Sequence, residues 1–250
     1  MGQDARGAEA CMQRLSRRPD MGGPVRGATR RAAGQAAAAF AEMMAHVPVG
    51  EAERGALWRQ MTAPNRHYHD AGHLADLWRL HRAYGAEVDL ARPEDTSLIA
   101  CAIAYHDAVV VGGACDNERR SAEQWMADRA AMPEADRLWV AETILATADH
   151  MGSGAAICGE AGRRARARQW MLDLDLASLG LPWPQFTANT ARLRQEASHL
   201  DDAQWRGALG CFFSRLGASP TIYRLPPLHD RLERQARENI ERCLDKVAAG

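Results

Sequence analysis

The amino-acid sequence predicts an all-α protein built as a single helical bundle. Apolar residues recur at three-to-four spacing, as in Leu74, Leu77, Trp78, His81 and Tyr84, then Ile99, Ala102, Ile103 and His106. The β-like run Val109-Val110-Val111 is too short for a sheet and meets a breaker, Gly112-Gly113. Pro64, Pro93, Pro133, Pro182 and Pro184 fall in loops or near helix starts, where a missing N–H costs little.

Residues 1–33 are rich in Gly, Arg, Ala and small polar residues and lack a sustained hydrophobic period. They are expected to form a disordered extension. Their arginines resemble those of a transit peptide, but Asp4, Glu9 and Asp20 count against one, and Met21 is an alternative start. Helices are then expected over 35–47, 51–62, 70–85, 94–108, 116–131, 134–150, 164–178, 183–198, 201–216 and 227–247. Residues 34–250 thus read as one helical domain, with a mobile Gly-, Ala- and Ser-rich loop at 151–162.

Of the 250 residues, 46% are apolar, enough for a sizeable core, and the formal net charge is −1. That balance gives no bulk attraction to a nucleic-acid polymer or an anionic membrane. Lys246 is the one lysine, so nearly all positive charge is arginine. Compositional bias explains the count, while the arginine fork suits phosphate at a few positions. The six cysteines form no C-x-x-C pair, and Cys101 reads as a small core residue. With no apolar run of transmembrane length and no secretory h-region, the expected location is cytoplasmic, with reduced thiols.

Three segments carry chemistry: Arg66–His73, Ala104–Asp107 and Leu172–Gly180. His106 continues the inward face of Ile99, Ala102 and Ile103, and Asp107 is turned about 100° from it on a helix. A charged Asp beside an inward His is costly unless neutralised, as a metal ion would do; the alternative is a neutral core His bonded to the neighbouring Asp. A helix end would let both side chains reach one ion from two sides. His69 and His73 stand at i and i+4, and either suits a metal as neutral imidazole. Asp173 and Asp175 lie among Trp170, Met171, Leu172, Leu174, Leu176 and Leu179. Both need partners there, and one of them could cap a helix.

The order His … His-Asp … Asp resembles the HD superfamily of metal-dependent phosphohydrolases. The stretches 66–74, 105–109, 116–122, 147–150 and 172–180 look like its predicted metal-dependent phosphohydrolase subfamily of bacteria and fungi. Residues 194–199 and 222–224 look similar too, so the resemblance spans roughly residues 38–245. It implies an all-α HD-domain bundle that binds divalent metal. It assigns His73, His106, Asp107 and Asp175 as ligands, with Asp173 in reserve and His150 as a further candidate. The His-x-x-x-His pattern also looks like that of the cyclic nucleotide phosphodiesterases, which makes His69 a candidate general acid. Such an N/O set suits Mn, Fe, Co, Ni or Zn better than Ca, with Mg also in the range. The metal would acidify its water and polarise a phosphoryl oxygen, with Asp107 also holding the water.

Around this set, Glu118 is a candidate to orient water or act as a base, although acids in that first turn also favour the helix dipole. Arg66, Arg192, Arg194 and Arg215 are candidate phosphate clamps, with Arg66 nearest His69 in sequence. Tyr68 and Tyr105 flank the ligand segments and read mainly as packing residues. The expected substrate is a small phosphorylated metabolite, with a nucleotide as one class, and a homodimer is a further expectation without an interface to support it. Two alternatives stand beside the hydrolase. One is a di-iron oxygenase that gathers His150 and His199 into the site. The other is a non-catalytic nucleotide-sensing domain.

Overall fold

A computed structural model describes residues 24–128, 130–152 and 162–249, with side chains from residue 34 onward. Ten α-helices make up the described chain: α1 Pro24–Met44, α2 Glu51–Met61, α3 Ala71–Tyr84, α4 Pro93–Tyr105, α5 Asn117–Ala127, α6 Glu134–Ala146, α7 Arg163–Asp175, α8 Trp183–Glu196, α9 Asp202–Ala218 and α10 Pro226–Ala249. Short 3₁₀ segments follow α3 (Gly85–Val88), α6 (Thr147–Asp149) and α7 (Leu176–Gly180). There is no strand among the described residues. The chain divides after Gln35, and Ala36–Gly250 forms one compact unit.

The described residues overlap the expected extension only from Pro24 to residue 33. Residues 1–23 lie outside the described residues, but the backbone is helical from Pro24. That Arg- and Ala-rich stretch has helix propensity without a hydrophobic period to reveal it. Most of the loop expected at 151–162 also lies outside the described residues, at 153–161.

Helix α4 organises the core. Every residue from Leu98 to Tyr105 is buried, as expected of a helix that is apolar all round. It packs against α3, α5, α6 and α7. Pro93 opens it at the first turn, where its missing N–H is harmless. Its carbonyl end therefore lies inside the bundle, and His106 and Asp107 follow directly from it.

Helix α3 starts at Asp70, whose side chain accepts from the backbone N–H groups of Gly72 and His73. A Cβ on Gly72 would sit 2.9 Å from Asp70 Oδ1, so glycine leaves room for that cap. Helix α3 meets α7 through Trp170, whose indole N–H donates to His81 Nδ1 at 3.1 Å. At the far end of α7, Asp173 is fully buried and accepts from the backbone N–H groups of Arg224 and Leu225. It thereby holds the chain entering α10. Gly180 permits the closest approach in this region, because a Cβ there would lie 2.5 Å from Leu232 Cβ on α10.

Candidate metal centre

Three helix ends converge. Helix α3 presents His73 from its first turn, α4 delivers His106 and Asp107 just past its last turn, and α7 ends on Asp175. One ligand atom from each of these four residues lies within 4.8 Å of all the others, so the cluster could hold a metal ion. His73 Nε2 is 3.3 Å from His106 Nε2 and 3.3 Å from Asp175 Oδ1. His106 Nε2 is 2.9 Å from Asp107 Oδ2 and 3.4 Å from Asp175 Oδ1.

The hydrogen bonds around the cluster are compatible with a cation in it. His106 Nδ1 lies 3.0 Å from the Ile103 carbonyl, which can only accept, so the proton belongs on Nδ1. Nε2 of the neutral ring then offers its lone pair to the cluster. Asp107 Oδ2 is buried and accepts no hydrogen bond of adequate geometry. Two neutral imidazoles and two carboxylates carry a charge of about −2, which matches a divalent ion. Without such an ion, protons compete for the same lone pairs. Burial pulls the His106 proton affinity down, but Asp107 and Asp175 more than offset it and hold it well above the ordinary value. Burial pushes both carboxyls up, yet His106 and its neighbours hold them well below the usual carboxylate range.

His150 takes a different place from the one expected of a ligand. Its Nε2 lies 2.8 Å from Asp175 Oδ2, the oxygen facing away from the two other histidines. It supports Asp175 from behind and is outside the four-residue cluster. Asp173, held in reserve as a ligand, is occupied as a backbone cap, as noted above. His199 is exposed and packs its ring against Gly112 and Gly113.

His69 stands beside the cluster, its ring centre 6.0 Å from that of His73. Its Nδ1 lies 2.6 Å from Glu196 Oε2, which leaves Nε2 as the ring nitrogen that Glu196 does not engage. Burial lowers the His69 proton affinity, but Asp107 and Glu196 raise it above the ordinary value overall. The other Glu196 oxygen, Oε1, accepts from the backbone N–H groups of His67, Tyr68 and His69 at 2.7, 2.8 and 3.0 Å. Burial pushes Glu196 up, while His69 and these N–H groups bring it down to about 2. Sequence reasoning gave Glu196 no role. It lies 127 residues from His69, and nothing local to α8 marks the contact.

The remaining expected residues are placed as follows. Arg66 donates to the carbonyls of His69, Asp107 and Ala108, so its fork points into the protein backbone. Arg194 donates to Ala197 O, Leu200 O and Asp202 Oδ1, closing the turn from α8 to α9. Arg215 pairs with Asp149 in an exposed ion pair, and Arg192 is exposed. Glu118 sits half-buried in the first turn of α5, outside the four-residue cluster. The Tyr68 hydroxyl pairs with Ser178 Oγ at 2.7 Å, and the Tyr105 hydroxyl donates to Asp128.

No protein-family model, curated protein or solved structure matches the chain.

Proposed function

We propose that the protein is an HD-type metal-dependent phosphohydrolase acting on a small phosphorylated metabolite, with a nucleotide as one candidate class. The observation that carries this reading is the convergence of His73, His106, Asp107 and Asp175 around a buried, unsatisfied carboxylate oxygen. The donor set has no thiolate, which argues against a structural zinc site. It suits Mn, Fe, Co, Ni, Zn or Mg. A divalent ion held there would supply Lewis acidity toward a phosphoryl oxygen and toward water.

The chain's own groups have distinct tasks in this reading. His73, His106, Asp107 and Asp175 hold the ion, and His150 keeps Asp175 turned toward it. His69 carries a proton on Nε2 for the leaving oxygen, and Glu196 fixes its ring through Nδ1. Asp107 Oδ2 can also accept a hydrogen bond from a water in the site. Glu118 remains a candidate for binding substrate or water, and a substitution there separates that role from simple support of the helix terminus.

The test compares wild type with Asp107→Ala. Metal content is measured after chelator-free purification, and phosphate release is screened over nucleotides and sugar phosphates. Stoichiometric metal and phosphate release in the wild type, both lost in the variant, is the expected result. Two irons with O₂ consumption and no phosphate release would replace the hydrolase with an oxygenase. Nucleotide binding with neither metal nor turnover would replace it with a sensor.

A further inference from the structure

Helix α4 ends at Tyr105, and the chain leaves the core through His106, Asp107 and Ala108. The last carbonyls of a helix lack intrahelical partners and need others when buried. Beyond Ala108 the chain has no regular secondary structure up to Val111 and is tied to α5 by Val109 N–H to Ser121 Oγ and by Val111 N–H to Asn117 Oδ1. Asp107 thus sits at a change of direction, and regular secondary structure does not fix its backbone there.

Arg66 fills that gap. Its Nη1 donates to Asp107 O at 2.6 Å and to His69 O at 3.0 Å, and its Nη2 donates to Ala108 O at 2.7 Å. The His69 carbonyl directly precedes Asp70, the residue that caps α3 and accepts from His73 N–H. One planar guanidinium therefore joins the chain segment entering α3 to the residue leaving α4. Two of the four candidate ligands, His73 and Asp107, lie on the two sides of that link.

We propose that Arg66 is a positioning residue of the metal centre, fixing Asp107 relative to His73 by binding the carbonyls of the turn that follows α4. A phosphate clamp would aim its Nη atoms outward, whereas both Nη atoms of Arg66 donate to the backbone. The geometry requires a fork, because three carbonyls are bound through two nitrogens of one plane, and an ammonium cannot span them in this way. Charge and geometry act in opposite directions here. The guanidinium lies near Asp107, Glu196 and Asp70, so removing its charge alone would favour a cation in the cluster. Arg66→Lys keeps the charge and removes the fork, which isolates the positioning effect.

The inference rests on the reading that the cluster holds a divalent cation. The experiment titrates Co²⁺ into chelator-treated, full-length wild type, Arg66→Lys and Arg66→Ala. Affinity is followed by calorimetry and ligand geometry by the visible absorption of Co²⁺. Circular dichroism establishes that the helices persist. Outer-shell partners of metal ligands typically contribute 10- to 100-fold in affinity, so Arg66→Lys should bind Co²⁺ about 10- to 100-fold more weakly, with an altered spectrum. Unchanged affinity and spectrum in Arg66→Lys, with any effect confined to KM for a phosphate substrate, would overturn the positioning role in favour of a clamp. Failure of the wild type itself to bind Co²⁺ would remove the metal centre and this role together.

Discussion

Asp107 Oδ2 is buried between two imidazoles with no hydrogen bond of its own. Removing the carboxylate should abolish metal binding while the helices persist, because its close partners are the His73 and His106 side chains and not the backbone; what the metal-free protein loses is charge that helps hold the His106 proton affinity up. Circular dichroism and metal analysis of Asp107→Ala check the two halves separately. Glu196 should behave in the opposite way. Glu196→Ala strands three backbone N–H donors and His69 Nδ1. Each stranded buried group costs about 1–3 kcal/mol, so a clear fall in Tm is expected. Glu196→Gln retains an acceptor for the N–H groups but loses the charge that raises the His69 proton affinity. If His69 acts as the acid, it must be protonated to work. The alkaline limb of the pH–rate profile should therefore move to lower pH in Glu196→Gln, and an unmoved limb would exclude His69 as that acid. Local pattern marked the three segments that carry the clustered residues but left His69 or His73 and Asp173 or Asp175 open, and the family resemblance chose between them. Glu196 and the backbone role of Arg66 had no such mark, because their partners lie far off in the chain and, for Arg66, are carbonyls that every residue carries.

At the scale of elements, the hydrophobic period located each helix core and missed some ends. The expected helix 94–108 stops at Tyr105, because His106 keeps helical angles while the chain turns out after it. The expected 164–178 passes into the 3₁₀ segment Leu176–Gly180, which side-chain periodicity does not distinguish from α-helix. The link between α3 and α7 gives a pH prediction. Burial lowers His81 from 6.5 to about 4, with smaller contributions from Arg82 and His46. Below pH 6.5 the unfolded chain takes up a proton that folded His81 refuses until about pH 4. Its contribution to stability is therefore complete above 6.5 and declines as pH falls through that window. Denaturant unfolding of His81→Gln should show a shallower loss between those two values, and an unchanged slope would remove His81 as its source. Gly180→Ala tests the contact with α10. A Cβ 2.5 Å from Leu232 Cβ and 3.0 Å from Leu232 O forces the two segments apart, with an expected cost of about 1–3 kcal/mol in unfolding free energy.

For the molecule as a whole, the arginine-rich start of α7 shows how a chain with net charge −1 spends its cations. Arg163 pairs with Asp89 and Asp95, Arg164 with Asp136, and Arg166 with Asp89. These arginines are engaged in ion pairs within the unit. None of the described helices is long and apolar enough to cross a membrane. If the cluster holds a divalent ion, the ion also stabilises the fold. At a free concentration of about 100 times its Kd, the gain is about 2.7 kcal/mol. Tm should rise with added metal and fall with chelator in the wild type, and respond to neither in Asp107→Ala.

The ligands come from the ends of three helices that meet only when α3, α4 and α7 are already packed. An unfolded chain holds these donors far apart, so a cation has little to grip until the bundle has assembled. An ion held there would then act as a latch that closes last. Interactions absent from the folding transition state change the unfolding rate and leave the folding rate nearly untouched. In stopped-flow experiments, saturating metal should lower the unfolding arm of the chevron while the refolding arms with and without metal superimpose. The benefit to the cell would then be a longer-lived native state, without faster maturation.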